Sequence, residues 1–302
     1  MKKSKNILIT GGSGFIGSHV ADAFSDAGYN VLIFDINKSP YIKSGQKFFS
    51  GDILDPAALT KAMKDIDLVF HFAALADIDV AETKPYDTMN INIMGTVNVL
   101  EAARKAGVNK VIFASSIYVY SREGSFYKAS KHAGELIIEE YSKKYGLKYN
   151  ILRFGTLYGP RSDHHNSVYR FLKSALDHKK ICIKSNGKEV REYIHVLDAA
   201  RICLKIVEND IDNETLILTG HHRMRVSELL DMINEVMNKS INIEYISHRS
   251  KATGSHYDGT PYSYIPRIGK KIITDTYCDL GQSLVEILHE IDGNKSAEDL
   301  HV

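Results

Sequence analysis

Residues 10–17 read ThrGlyGlySerGlyPheIleGly, and their setting restricts this chain more than any other feature. The apolar run 7–9 comes directly before them. Ile16, Val20, Phe24 and Ala27 follow at helical spacing. A glycine-rich turn between a buried strand and a helix is the sequence form of a dinucleotide cradle. Gly11 allows the tight turn, Gly14 lets a pyrophosphate approach the backbone, and Gly17 lets the helix pack on its strand. The free amides of the first helical turn then face the phosphates. Phe15 and Ile16 belong to the same turn. A ligand-free turn would share this glycine pattern, so its flanking segments carry the argument.

Further apolar bursts stand at 31–34, 48–49, 68–72, 111–114 and 150–154. Continuous apolar runs, unlike alternating ones, indicate strands covered on both faces. Between them, Gly28 stops the first helix and Pro56 opens a second at a tolerated position. Residues 89–106 and 129–144 read as longer helices. Such alternation implies a Rossmann-type α/β fold, a doubly wound parallel sheet. After Tyr158-Gly159-Pro160 the rhythm loosens. Helices are expected near 167–177, 196–208, 226–237 and 281–290, and strands near 180–183, 190–194, 215–219 and 241–245. The expected division is a dinucleotide domain over 1–160 and a smaller α/β substrate lobe over 161–302. Segments near 190–220 are candidates to rejoin the sheet.

Asp35 closes the second strand, 18 residues past Gly17. A carboxylate there accepts hydrogen bonds from ribose hydroxyls and repels a 2′-phosphate, which favours NAD over NADP. A surface aspartate in a turn is the plain alternative. Asp52 and Ile53 follow the third strand as candidates for the adenine end, while nearby Asp55 competes as a helix cap.

Tyr127 and Lys131 are four residues apart, so on a helix they share a face. A lysine beside the phenol, together with a positive nicotinamide ring, is expected to lower the tyrosine pKa. Lys131 is also a candidate to hold the nicotinamide ribose. An exposed Tyr/Lys pair is common on helices. Here the pair opens the helix that follows the fifth strand, and Ser115-Ser116 ends that strand. Ser116 can donate or accept at the same substrate hydroxyl. Ser116, Tyr127 and Lys131 are therefore the catalytic candidates.

Motifs at 11–17 (GGSGFIG), 71–74 (HFAA), 92–96 (NIMGT), 114–120 (ASSIYVY), 127–131 (YKASK), 152–161 (LRFGTLYGPR) and 186–198 (NGKEVREYIHVLD) occur in order. With them the chain resembles the extended short-chain dehydrogenase/reductases, the NAD-dependent epimerase/dehydratase group. The resemblance implies that NAD is the cofactor and a nucleotide-linked sugar the substrate. It implies that Phe72, Ala73 and Ala74 line the cofactor, that Asn92 supports the site, and that Phe154 and Leu157 lie near the nicotinamide. It implies that Arg191 grips the substrate diphosphate, with Arg267 a second phosphate candidate. It also implies a homodimer built on helices near 88–106 and 128–145.

The chain departs from that pattern in several places. Family dehydratases carry an acidic residue after the catalytic Ser/Thr, where this chain has Ile117 and Tyr118. Elimination is thereby disfavoured. Thr156 replaces a usual asparagine as a substrate contact. The connection from Tyr120 to Tyr127 is short, which is expected to open the pocket. Residues 256–271 replace a more basic stretch and receive no ligand. The expected reaction is oxidation at the sugar C4 hydroxyl. Net 4-epimerisation is favoured, a 4-dehydrogenase releasing the keto sugar is the alternative, and a 4,6-dehydratase or a non-catalytic NAD sensor ranks below both.

Composition narrows the partners. Net charge is +1, so nothing draws the chain to nucleic acid or an acidic membrane surface. Three scattered cysteines form no CxxC pair, which fits a reducing cytoplasm rather than a disulfide framework. Apolar runs are too short for a membrane span or signal peptide. The pairs His164-His165 and His221-His222 read as loop polarity, and no metal is expected. Arg161 reads equally as a phosphate ligand or a solvated turn residue.

Overall fold

The computed structural model of the protein describes residues 5–121, 124–183, 185–221, 223–246 and 270–298. The first half runs β1 (Asn6–Thr10), α1 (Phe15–Asp26), β2 (Asn30–Asp35), β3 (Lys47–Ser50), α2 (Pro56–Ala62), β4 (Leu68–His71), α3 (Ile78–Thr83), α4 (Pro85–Met89), α5 (Gly95–Ala106), β5 (Lys110–Ser116), α6 (Ser125–Tyr145) and β6 (Lys148–Phe154). The second half runs β7 (Thr156–Tyr158), α7 (Ser167–His178), β8 (Lys180–Ile183), β9 (Val190–His195), α8 (Val196–Glu208), β10 (Glu214–Leu218), β11 (Arg223–Arg225), α9 (Val226–Val236), β12 (Asn242–Tyr245), β13 (Lys270–Lys271) and α10 (Leu280–Glu298).

Among the described residues, eight parallel strands make the main sheet, in the order β13-β10-β6-β5-β4-β1-β2-β3. Its inner strands are rich in apolar residues because both faces are covered. Ile7, Ile9, Val31, Phe70, Ile112 and Leu152 pack on one face, under α1 and α8. Leu8, Phe34, Val69, Val111 and Phe113 pack on the other, under α2, α5 and α6. The strand order reverses between β1 and β4, so loops diverge at the carboxyl ends there and open a crevice.

Strand β10, late in the chain, lies in the main sheet beside β6. A smaller layer is built from the sheet β11-β9-β7, the parallel pair β12–β8, and α7, α9 and α10 around their own core. The expected single helix over 89–106 is interrupted. Residues Asn90–Met94 form a π-helical turn before α5 begins. Such a turn re-aims side chains without ending the helix. No helix among the described residues is long and apolar enough to cross a membrane.

Candidate active site

The glycine turn sits at the crevice. Gly11 has φ +68°, and a Cβ there would lie 2.5 Å from the Ala73 backbone nitrogen. A Cβ on Gly17 would run into the Gly11 carbonyl oxygen. Gly14 caps α1 with no side chain to occupy the first-turn amides. The Ser13 hydroxyl is buried with no hydrogen-bond partner in the protein. A cradle that excludes side chains, offers free amides and holds an unpaired hydroxyl suits a diphosphate. Phe15 and Ile16, half-buried, open α1 beside it.

Asp35 lies against this turn. Its Oδ2 accepts from the Ser13 amide at 3.0 Å and its Oδ1 from the Asn37 amide at 3.1 Å. Asp55 takes the helix-cap role, accepting from the Ala57 and Ala58 amides. Asp52 instead accepts from Leu54 at 2.9 Å, and Ile53 packs against Gly95. Across the crevice the Phe72 and Ala73 amides both donate to the Thr10 carbonyl, with half-buried Ala74 next in the chain. The Phe72 ring stands 6.4 Å from that of Phe154, and Leu157 packs on the same core.

Ser116 ends β5 and caps a 3₁₀ turn, its Oγ accepting from the Tyr118 amide at 3.2 Å. Tyr127 lies in the first turn of α6, half-buried, near enough to Ser116 for that hydroxyl to draw its phenol pKa down. Lys131 lies one turn on and is buried. Its Nζ donates to the Ala114 carbonyl at 2.9 Å and stands 5.8 Å from the Tyr127 ring centre. The fold thus assembles Ser116, Tyr127 and Lys131 in one place.

The charge balance differs from the sequence expectation. Burial pushes the Tyr127 phenol up to about 12, outweighing the Ser116 hydroxyl. Lys131 does not lower it. The lysine is committed to Ala114, and burial brings its own ammonium down to about 8. The protein's own groups therefore keep the phenol protonated near neutral pH.

Asn92 sits in the π turn, fully buried. Its amide accepts from the Leu75 amide and donates to the Leu75 carbonyl and the Ser130 hydroxyl. It ties the loop after β4 to α6. Thr156 on β7 pairs with Tyr193 on β9, and Arg191 lies two residues before Tyr193. The Arg191 Nε is buried without a hydrogen-bond partner, and its charge reaches Tyr118 and Tyr193. Arg267 lies outside the described residues, as do His222 and nearly all of 256–271.

The Arg161 Nη1 is buried without a hydrogen-bond partner. The Arg161 guanidinium is paired with Asp22 at 2.8 Å and stacked over the Tyr41 ring. Asp163, His164 and His165 gather exposed in one loop, and Asp77 joins His165 at 2.9 Å. Carboxylates therefore flank this histidine pair: Asp163 precedes it in the chain, and the fold brings Asp77 to it.

Sequence reasoning assigned no role to His71. It is 1% exposed and hydrogen-bonded to Thr10 at 2.7 Å and Thr96 at 3.0 Å. It ties the strand under the glycine turn to α5. Burial brings it down to about 3, with Lys131 adding to the effect. Its presence in the HFAA motif was the available signal.

Comparison with known proteins agrees with this geometry. The model of the NAD dependent epimerase/dehydratase family matches residues 7–218. The chain is 32% identical over 250 residues to a putative UDP-glucose 4-epimerase of Methanocaldococcus jannaschii, covering 75% of this chain and 81% of that protein. The structure of the Thermotoga maritima UDP-glucose 4-epimerase with UDP-glucose superposes with a TM-score of 0.81 at 26% identity, over 96% of this chain and 99% of that one. The Thermus thermophilus UDP-glucose 4-epimerase complex with NAD gives 0.78 at 26% identity, over 95% and 99%. The chain belongs to the NAD-dependent epimerase/dehydratase family, whose cofactor the Gly11–Gly17 cradle fits.

Proposed function

We propose that the protein inverts the C4 hydroxyl of a nucleotide-linked sugar, with Tyr127 as the acid/base. The observation that carries this reading is the gathering of Ser116, Tyr127 and buried Lys131 at the carboxyl edge of the sheet. The Gly11–Gly17 turn, Asp35, Asp52 and the Phe72–Ala74 segment would hold NAD, with Phe154 and Leu157 at its reactive end. When bound, NAD supplies a hydride acceptor and donor together with a positive charge. As the phenolate that the positive charge of bound NAD would favour, Tyr127 takes the proton from the C4 hydroxyl and later returns it. Ser116 orients that hydroxyl. Lys131 holds ribose hydroxyls with its ammonium. Arg191 grips the diphosphate, a task suited to a guanidinium with an unpaired Nε.

Ile117 and Tyr118 stand where an eliminating enzyme needs a carboxyl. Burial raises the Tyr118 phenol to about 12, so it stays neutral. That supports redox at a carbinol over elimination. The test is incubation with UDP-, GDP- and dTDP-sugars, followed by NMR of the products and absorbance at the NADH band. A C4 stereoisomer without NADH is expected. A keto sugar accumulating with NADH would replace this reading by a 4-dehydrogenase, and an unsaturated or deoxy keto product by a dehydratase. A homodimer through the 88–106 and 128–145 helices belongs to the same reading. Exposed Met94 and Leu136 on those helices support it, and sedimentation checks it.

A further inference from the structure

Directly behind the Tyr127–Lys131 pair lies a buried ionic network that the proposed mechanism does not use. Glu135 follows Lys131 by one turn of α6. Arg153 is on β6, where it pairs in register with Ser115 of β5. The two side chains are 2% and 3% exposed. Arg153 Nε donates to Glu135 Oε1 at 2.9 Å and its Nη2 to Oε2 at 2.6 Å, a bidentate fork. The Ser115 hydroxyl donates to Glu135 Oε1 at 2.5 Å. Arg153 Nη1 also bonds the Tyr120 hydroxyl, and its guanidinium covers the Tyr120 ring at 4.6 Å. Ser115 precedes Ser116 in the chain, Glu135 follows Lys131 by one helical turn, and Arg153 joins the two.

We propose that Glu135 is a positioning residue for the acid–base site: with Arg153 it clamps the Ala114–Ser116 strand end to α6 and sets a carboxylate behind the Lys131 ammonium. This rests on the reading of Lys131 as a charged ribose ligand. A buried ion pair of this kind is weak as a source of stability, because desolvation offsets the attraction. What it supplies is geometry and field. Ser116 and the Ala114 carbonyl are held by the same strand end that Ser115 pins to Glu135.

The field acts on Lys131. Burial lowers the ammonium, and the Glu135 carboxylate opposes that. The other groups around it do not. His71 on β4 is neutral, Tyr127 on α6 and Tyr118 on the 3₁₀ turn are neutral phenols, and the Phe113 ring face lies 5.0 Å away. Arg153, beyond Glu135, is cationic and its charge is met by Glu135. Glu135 is thus the nearby anion that keeps Lys131 charged at working pH.

The test is fluorescence titration with NADH from pH 6 to 9.5, which needs no knowledge of the sugar. The wild-type Kd is expected to rise as Lys131 discharges near its pKa of about 8. In Glu135→Gln the rise should begin about one pH unit lower, the size of effect a nearby opposite charge supplies. Glu135→Asp should bring the midpoint back towards wild type. Glu135→Gln/Arg153→Met removes both charges and avoids a lone buried cation. It should keep the lowered midpoint, and it carries the test if the single variant fails to fold. A uniform change in Kd with an unmoved midpoint, or a wild-type midpoint in the double variant, overturns the proposal. A wild-type Kd that is flat across the range refutes the role of Lys131 itself, and the proposal with it.

Discussion

Replacing His71 with glutamine tests how the cradle strand is held and gives a measurable pH signature. His71 is buried and its pKa is held at about 3, against 6.5 for a free histidine. Below pH 6.5 the unfolded chain takes up a proton that the folded site refuses. Stability is therefore lost as pH falls through 6.5, and the loss continues towards about 3. From pH 7.5 to pH 5 this one group removes about 2 kcal/mol, at about 1.36 kcal/mol per unit. His195, brought down to about 4, and His19, lowered by burial, act in the same direction. The difference between wild type and variant isolates His71. Glutamine keeps a donor and an acceptor for Thr10 and Thr96 but does not titrate. Urea unfolding of both proteins at pH 7.5 and pH 5 is the assay. Wild type should lose about 2 kcal/mol more than His71→Gln between the two pH values. Equal losses would refute the reasoning, because His71 would then be protonated in the folded state or wet.

Three further outcomes follow from the site. Tyr127→Phe should cut turnover of the accepted sugar nucleotide by roughly 10²–10⁴-fold, with NADH affinity nearly unchanged; retained turnover would remove Tyr127 as acid/base. Gly11→Ala forces a side chain into a φ of +68° and against the Ala73 backbone. It should weaken NADH binding at least tenfold and lower the melting temperature, and unchanged binding would show that the turn does not shape the cofactor site. Arg191→Met should raise KM for the accepted sugar nucleotide about tenfold or more with a smaller change in kcat. An unchanged KM would send the diphosphate elsewhere.

Much of the candidate site was legible because it is local. The glycine turn lies within one strand–helix connection, and Tyr127 and Lys131 are joined by a single helical turn. Continuous apolar runs reported strands covered on both faces, and both cores confirm the cover. Those same runs hide which face each residue takes. Arg153 sits among apolar residues of β6, and only the sheet register puts it opposite Ser115 and under Glu135. The π turn at Asn90–Met94 has no signature in an otherwise regular helical pattern, yet Asn92 clamps the loop after β4 from it.

The glycine cradle was thus set by the sequence alone: backbone conformation, helix start and strand period depend on near neighbours. The charge states around Tyr127 were decided by the tertiary structure. Burial raises the phenol, lowers Lys131 and neutralises His71, and Arg153 and Ser115 reach the Glu135 carboxylate only because α6 packs on β5 and β6. Desolvation and charge coupling depend on how much water the whole fold excludes, and no local pattern of residues encodes that.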